Sequence, residues 1–439
     1  MNQLTKKLAF KELLLFALPI IVGHVGIMLI GTGDMMIAGR YSRECLAAIG
    51  LAISIANPVM MLGLGVQFAI SPLLAQRRGA GQDIKPLFWT VMGISLFCGI
   101  IATILTYVSV AVIPYLGYSE NLNKIIYDYI IILSPSMIVL CLYQGLKEFF
   151  QAQEKTIWPN VIALGSAGLN VLLNYAFVFG AWGFPELKEP GLAWASLTLR
   201  VFMAVALFLV AFRSWMSDFK IDFSFCKEVF KVGVPISISI FFEVMAFCSV
   251  TLFVGKFAEI QTAANNIALN YASLVFMIPM SIASAVGVKV GHAYGEKNAH
   301  NIRTFAIVSI MTAVSFTALM GMFTFIFPES ILGAYSIDNE VLHWGRKLLF
   351  LVACFQIFDG AQVTLAGILR GLSLTRASSI GIFVGYWIIG IPLGYYLGFH
   401  RGLEAQGFWM GLALSLALVA LTLGFILMRK MKALIREGL

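Results

Sequence analysis

The chain has 439 residues, of which 60% are hydrophobic and 12% charged, and its mean hydropathy is +0.89. This composition excludes a water-soluble protein, since soluble chains average about 25% charged residues. The net charge of +8 does not indicate nucleic-acid binding, because the basic residues form short clusters between long apolar runs. The six cysteines include no CxxC pair, so neither a disulfide framework nor a zinc site is predicted.

Twelve apolar runs are long enough to cross a lipid bilayer. A helix needs about 20 residues to span a hydrocarbon core of about 30 Å. In chain order the predicted spans cover 13–38, 46–75, 87–113, 126–146, 157–180, 191–212, 229–254, 263–291, 303–327, 346–369, 378–399 and 405–428. The first run is too long for a signal peptide and has no cleavage pattern before Arg40. We therefore expect an all-α polytopic membrane protein.

The loops between these spans differ in basic content. Of the 30 Lys and Arg residues, 21 lie on the side of the amino terminus, 8 lie on the opposite side and one lies inside a span. Lys and Arg in short loops are retained in the cytoplasm. Both termini are therefore expected to be cytoplasmic.

The two halves of the chain resemble one another. A shift of 216 positions aligns Pro19-Ile20 with Pro235-Ile236 and Gly79 with Gly295. Six spans return the chain to the same side, so such repeats are parallel and a binding cavity is expected between them. We predict an amino-terminal six-helix lobe at 1–212, a cytoplasmic connector at 213–228 and a carboxyl-terminal six-helix lobe at 229–439.

Three acidic residues, Asp34, Glu243 and Asp359, lie well inside apolar runs. An Asp at the middle of a bilayer costs about 2.5–3.5 kcal/mol, so each acid is expected to pair, bind a cation or carry a proton. The alternative is that each acid only bonds neighbouring side chains to fix helix packing. Arg200 is the one basic residue that the sequence places deep inside a span. It could be a buried counter-ion or could simply snorkel, and we favour a structural role.

Polar side chains accompany two of these acids. Gln356 and Gln362 share a helix face with Asp359 and offer amide oxygens to a cation. On the fifth span Asn170 and Asn174 stack one turn apart. The glycines around Asp34 that would let another backbone approach are Gly31, Gly33 and Gly39. No nucleophile elbow, Walker loop or HExxH pattern occurs, so no catalytic residue and no cofactor is predicted.

At this point the chain resembles the multidrug and toxic compound extrusion (MATE) transporters, specifically their NorM-like bacterial branch. The resemblance spans essentially the whole chain. It is carried by Asp34 in a GxxDxxxAG context, Pro58, GLNVLLNYAFVFG at Gly168–Gly180, FFEV at Phe241–Val244, the long run Ala268–Glu296 and LRG at Leu369–Gly371.

The resemblance implies twelve transmembrane helices in two pseudo-symmetric six-helix bundles around a central cleft. It also implies antiport of H⁺ or Na⁺ against cationic drugs in the bacterial cytoplasmic membrane. By matching motif, Glu243 and Asp359 resemble the cation site of the carboxyl-terminal lobe, where Na⁺ is a candidate ligand. Asp34 and Asn174 resemble their amino-terminal counterparts.

Two departures from the family pattern concern the coupling ion. Some NorM-like members have a tyrosine four residues before the acid of the tenth span, whereas Phe355 here lacks that hydroxyl. Members often show His-Gln after the paired alanines of the eighth span, where Asn265 and Asn266 stand here. Phe355 removes one oxygen that a hard cation could use, so the sequence slightly favours H⁺.

We predict a monomeric, cation-coupled efflux antiporter that exports cationic amphipathic small molecules by alternating access. A lipid-linked oligosaccharide flippase of the same superfamily is the nearest alternative, and it would show basic residues along the cleft. A membrane-embedded enzyme or receptor is a third hypothesis, which gives no reason for a two-fold repeat.

Overall fold

The computed structural model describes residues 4–215, 218–335 and 338–436. Helix accounts for 89% of the described residues, and no strand occurs among them. This confirms the predicted all-α fold class. Most helices are long, since an apolar segment in lipid must satisfy its backbone hydrogen bonds internally.

Sixteen α-helices follow one another within the described residues. They are α1 Lys6–Tyr41, α2 Arg43–Gln67, α3 Ile70–Gly79, α4 Phe88–Ser109, α5 Glu120–Leu133, α6 Ser136–Ala152, α7 Ile157–Phe179, α8 Pro190–Trp215, α9 Phe223–Val254, α10 Glu259–Gly295, α11 Ala299–Ile326, α12 Pro328–Gly333, α13 Asn339–Gly371, α14 Thr375–Phe383, α15 Ile391–Tyr395 and α16 Glu404–Arg436. Two π-helical segments, Val384–Gly390 and Tyr396–His400, flank α15.

The described helices reproduce the predicted membrane spans. Eleven segments are long and apolar enough to cross a bilayer, and the pair α5 and α6 makes a twelfth. This pair is bent by 47° where Ser134 and Pro135 separate the two helices. Proline has no N–H to continue the helical ladder and its ring crowds the preceding turn, which accounts for the bend.

Asp222 defines the start of α9. Its Oδ1 accepts hydrogen bonds from the backbone N–H groups of Ser224 at 2.8 Å and Phe225 at 3.0 Å. Its Oδ2 lies 3.4 Å from Arg77 Nη1. These contacts hold the pKa of Asp222 below its usual range. The largest effect comes from the N–H of Phe225, followed by the N–H of Ser224 and the Arg77 guanidinium. The carboxylate thus caps the helix that carries Glu243.

The helices form two compact units. The amino-terminal unit comprises Leu18–Arg78 and Gln82–Ser237, and the carboxyl-terminal unit comprises the described residues from 238 onward, Gly79–Gly81 and the described residues up to Ala17. The predicted lobes, 1–212 and 229–439, remain a prediction. Two residues of the predicted connector, Met216 and Ser217, lie outside the described residues.

In the carboxyl-terminal unit, the segment from 384 to 400 lies very close to α16. A Cβ added to Gly411 of α16 would lie 2.5 Å from the carbonyl oxygen of Gly390, closer than any side chain allows. Only a residue without a side chain permits this approach, which is a common way to pack membrane helices. The contact fixes the π-helical segment Val384–Gly390 against α16.

Candidate functional site

In the amino-terminal unit, Asp34 is surrounded by hydrogen-bond donors. Asn170 Nδ2 and Asn174 Nδ2 donate to Asp34 Oδ1 at 2.8 and 2.7 Å. Ser196 Oγ donates to Asp34 Oδ2 at 3.3 Å. Asp34 is buried, as are both asparagines. The structure therefore brings together the three amino-terminal residues chosen from the sequence and adds Ser196.

One glycine next to Asp34 makes this arrangement possible. A Cβ at Gly33 would lie 2.6 Å from Asn170 Oδ1, so a larger residue would displace the asparagine. A Cβ at Gly31 would meet no heavy atom within 4 Å, and a Cβ at Gly39 would make only ordinary contact with Leu46. Of the three glycines predicted to allow close approach, Gly33 is the one that does so at the site.

Arg200 lies near this network but bonds to a different helix. Its Nη1 donates to Ser136 Oγ at 2.6 Å, at the first residue of α6 beside the bend. The guanidinium also lies within electrostatic range of Asp34. Ser196 stands one helical turn before Arg200, so both residues of α8 face Asp34 and the bent span. The hydrogen bond to Ser136 agrees with the structural role preferred for Arg200, and no ion pair between Arg200 and Asp34 occurs among the described residues.

Two lysines are also buried, which the sequence did not indicate. Lys289 is 9% exposed and pairs with Glu12 at 3.3 Å. Lys147 is 5% exposed and precedes the buried Glu148, whose Oε1 accepts a hydrogen bond from Gln144 Nε2 at 2.8 Å. Lys147 and Lys289 are thus buried, whereas Arg200 is part-buried. Both lysines lie near the ends of predicted spans, where the sequence alone favours a charge that sets the topology.

In the carboxyl-terminal unit, α9 and α13 bring Glu243 and Asp359 to the same region. Phe247 and Phe355, each one helical turn from one of the acids, have ring centroids 6.0 Å apart, and the two carboxylates lie within electrostatic range of each other. The hydroxyl of Tyr386 donates to Glu243 Oε1 at 3.1 Å. Among the described residues, Asp359 accepts no hydrogen bond, and neither acid has a Lys, Arg or His within ion-pair distance. The Arg370 charge acts on Glu243 from farther away. Two acids therefore share this region with a single hydrogen-bond donor.

Amide groups stand on either side of Asp359. Gln356 is 2% exposed, and neither its Nε2 nor its Oε1 has a hydrogen-bond partner in the described part of the chain. Gln362 is 1% exposed and its Oε1 is likewise unpaired there. Buried polar atoms are normally satisfied. These oxygens fit the needs of a cation, whereas no cluster of three or more His, Cys, Asp or Glu is found among the described residues.

Phe355 belongs to an apolar wall beside these acids. Its ring centroid lies 6.0 Å from that of Phe247 and 5.4 Å from that of Trp409, and the side chain is 2% exposed. Phe247 also lies 6.0 Å from the Tyr386 ring. The position where some family members carry a tyrosine is thus filled by packed aromatic carbon.

The two asparagines of α10 differ in placement. Asn266, chosen from the sequence as a supporting residue, is exposed. Asn265 is fully buried, and its Oδ1 accepts a hydrogen bond from Trp409 Nε1 at 2.9 Å. Adjacent helical residues point about 100° apart, so the choice between them depends on helix rotation. The structure gives Asn266 no hydrogen bond within the described residues, and its role stays a prediction.

Sequence reasoning missed two hydroxyl partners, Ser196 and Tyr386. A serine or tyrosine in an apolar span carries no signal of its own, because both residues are common in membrane helices. Ser196 could have been found as the residue one turn before Arg200. Nothing in the sequence distinguishes Tyr386 from the interfacial tyrosines of other spans.

The two acidic sites differ in their electrostatics. Asp34 receives three hydrogen bonds and lies near the positive charge of Arg200. Within the described residues Glu243 receives one hydrogen bond and Asp359 receives none, and their negative charges repel each other. Like charges within electrostatic range of each other favour binding of a cation or a proton. The carboxyl-terminal pair is therefore the better place for an exchangeable ion.

A comparison with protein families gives the identity of the fold. The MatE family model matches residues 19–176 and again residues 235–396. The chain belongs to the MATE family. The second match begins 216 residues after the first, which confirms the internal repeat predicted from the sequence.

Relatives of known name agree with this assignment. The chain is 30% identical over 433 residues to a probable multidrug resistance protein NorM of Bacillus subtilis, covering 96% of both chains. It is 31% identical over 428 residues to the multidrug resistance protein NorM of Vibrio cholerae, covering 94% of both. These matches place the MATE chain among transporters rather than enzymes, and its helices make it a multi-pass membrane protein.

Solved structures share the fold. A eukaryotic MATE transporter superposes with a TM-score of 0.88 at 21% identity, covering 98% of this chain and 99% of that one. This confirms the predicted arrangement of membrane helices for the MATE chain.

Proposed function

We propose that this MATE protein is an efflux antiporter of the bacterial cytoplasmic membrane that exports cationic amphipathic small molecules in exchange for H⁺. Na⁺ is at most a weaker occupant of the same carboxylates. Multidrug efflux follows from the NorM relatives, while the ion, the charge of the substrates and the orientation are our inference. Both termini would lie in the cytoplasm, as the 21 to 8 distribution of basic residues indicates.

One observation carries this proposal. Glu243 and Asp359 lie together on membrane-length helices with a single hydrogen-bond donor and no basic partner at ion-pair distance within the described residues. Such a pair is costly in a bilayer unless a cation or a proton compensates it. An ion and an organic cation that compete for these carboxylates would couple export to ion entry by alternating access.

The surrounding residues support H⁺ over Na⁺. A proton needs one carboxylate, whereas Na⁺ is a hard cation that wants several oxygens. Phe355 contributes no oxygen to such a site, and the side chain of Asn266, another candidate ligand, is exposed. The unpaired Gln356 Oε1 remains available to a cation, which is why weak occupation by Na⁺ belongs to the proposal.

The test is efflux by single variants that keep shape and remove charge. Glu243→Gln and Asp359→Asn are each expected to abolish export of a cationic dye from cells while the protein is made and folded normally. Glu340→Gln, an exposed position in the first turn of the same helix as Asp359, is the matched control and should export normally. Wild-type efflux from both site variants would refute the assignment. Loss of the protein rather than of transport would favour a packing role.

A further inference from the structure

The π-helical segment Val384–Gly390 donates hydrogen bonds to two consecutive residues of α9. Tyr386 Oη donates to Glu243 Oε1 at 3.1 Å, and Trp387 Nε1 donates to the carbonyl oxygen of Phe242 at 2.9 Å. One bond holds the carboxylate and the other holds the backbone immediately before it. Together they restrain the rotation of α9 about its axis and its position along that axis at Glu243.

The π-helical backbone explains how the adjacent side chains of Tyr386 and Trp387 both reach α9. A π-helical turn contains more residues than an α-helical turn and changes the direction of the side chains that follow. Single π turns inside α-helices occur frequently at functional sites. Here the opposite side of the segment is fixed to α16 by the close approach of Gly411 to Gly390.

Aromatic packing restrains both donors. The Tyr386 side chain is fully buried and its ring centroid lies 6.0 Å from that of Phe247. The Trp387 ring lies 5.9 Å from the Phe242 ring, which in turn lies 4.8 Å from Phe383. Side chains that are locked by packing give hydrogen bonds of fixed geometry.

We propose that Tyr386 and Trp387 form a two-donor clamp that positions Glu243 for the coupling ion. Both are positioning residues, because they act through Glu243. The clamp rests on the proposed function, since it assigns Glu243 to the ion site. It leaves Glu243 Oε2 without a hydrogen bond among the described residues, so that this oxygen is free to face an ion.

The clamp should matter more to a small ion than to an organic cation. A proton must transfer to one carboxylate oxygen held within hydrogen-bond reach, and Na⁺ would need several oxygens at fixed distances. For either ion, a shift of about 1 Å at a reacting centre can cost about 100-fold. A large cation with delocalised charge makes many adaptable contacts. Loosening Glu243 should therefore slow ion-driven export while leaving dye binding nearly unchanged.

The experiment uses the purified full-length protein in liposomes with an imposed H⁺ or Na⁺ gradient, whichever drives wild-type export. Tyr386→Phe removes the phenolic hydroxyl, and Trp387→Phe removes the indole N–H while keeping a ring. Tyr395→Phe removes a hydroxyl that makes no hydrogen bond within the described residues and is the matched control. The readouts are the maximal export rate of a cationic dye, its KM, and its Kd in the absence of a gradient.

We expect each clamp variant to lower the maximal rate about tenfold with dye KM and Kd within about twofold of wild type. The double variant should fall by less than the product of the single effects, because both bonds hold the same residue. Tyr395→Phe should behave as wild type. If Trp387→Phe is not monodisperse in detergent, Tyr386→Phe alone decides.

Three results would overturn the clamp. The first is wild-type export by Tyr386→Phe. The second is a clamp variant that loses dye binding as much as it loses export rate. The third is a well-folded Trp387→Phe that exports normally while Tyr386→Phe does not. Glu243→Gln distinguishes this failure from failure of the proposed function. If Glu243→Gln abolishes export and both clamp variants are normal, only the clamp is wrong. If Glu243→Gln exports normally, the ion site itself is wrong.

Discussion

Replacing Gly33 with alanine should disrupt the amino-terminal acidic site although every polar side chain of the site is kept. The new Cβ would lie 2.6 Å from Asn170 Oδ1 and 3.2 Å from Val171 Cγ2. The asparagine must therefore withdraw, and its 2.8 Å hydrogen bond to Asp34 breaks. A hydrogen bond to a charged group contributes about 1.5–3 kcal/mol.

Gly31→Ala is the matched control, because nothing lies within 4 Å of a Cβ at that position of the same helix. Both substitutions gain up to about 1 kcal/mol of helix propensity, so that gain cancels in the comparison. Gly33→Ala should thus be about 1.5–3 kcal/mol less stable than Gly31→Ala. We also expect dye export to fall about tenfold, since Asp34 loses its orientation.

The assay pairs thermal unfolding of the purified variants with dye export from cells. A lower melting temperature and weaker export for Gly33→Ala alone would support the packing argument. Equal behaviour of the two alanine variants would refute it. Wild-type export by a destabilised Gly33→Ala would show that the hydrogen bonds of Asp34 serve stability but not transport.

Three further predictions concern other positions. Phe355→Tyr supplies a phenolic oxygen one turn before Asp359 and should make a Na⁺ gradient more effective in driving dye export. The variant should lose some stability, because the Phe355 ring is tightly packed. An unchanged response to Na⁺ would contradict this prediction. Asp222→Asn keeps an acceptor at the start of α9 but removes its charge. Because the folded pKa of Asp222 is lowered, the charge stabilises the protein above the ordinary pKa of 3.8, and this effect is lost as pH falls through the folded pKa. Wild type and variant should therefore differ in melting temperature at pH 7, and the difference should shrink as the pH falls below 3.8; a difference that does not depend on pH would contradict this. Tags at either terminus should resist labelling in intact cells, whereas a cysteine at Lys188 should react; external labelling of a terminus would reverse the topology.

The spans and the repeat could be predicted from the sequence because hydrophobic length alone determines which segments cross a bilayer. The family match beginning at 19 and 235 has the offset that aligned Pro19 with Pro235. The 47° bend at Pro135 was not predicted, although proline offered a signal. Its position inside an otherwise continuous apolar run concealed the break.

The acidic site residues could be chosen from the sequence because a charge in an apolar span is costly and therefore rare. Their partners could not be chosen in the same way. Ser196 and Tyr386 are ordinary membrane residues until the fold places them beside a carboxylate. Helix rotation decides between Asn265 and Asn266, and a π-helical turn depends on tertiary packing rather than on local sequence.

Coupling to H⁺ is tested most directly through dye export by purified protein in liposomes under separate H⁺ and Na⁺ gradients. We expect a pH gradient in the absence of Na⁺ to drive export of a cationic dye, and Asp359→Asn to stop it. A Na⁺ gradient alone should drive at most weak export, because Phe355 supplies no oxygen to a hard cation. Export that requires Na⁺ and ignores a pH gradient would contradict the proposed coupling to H⁺.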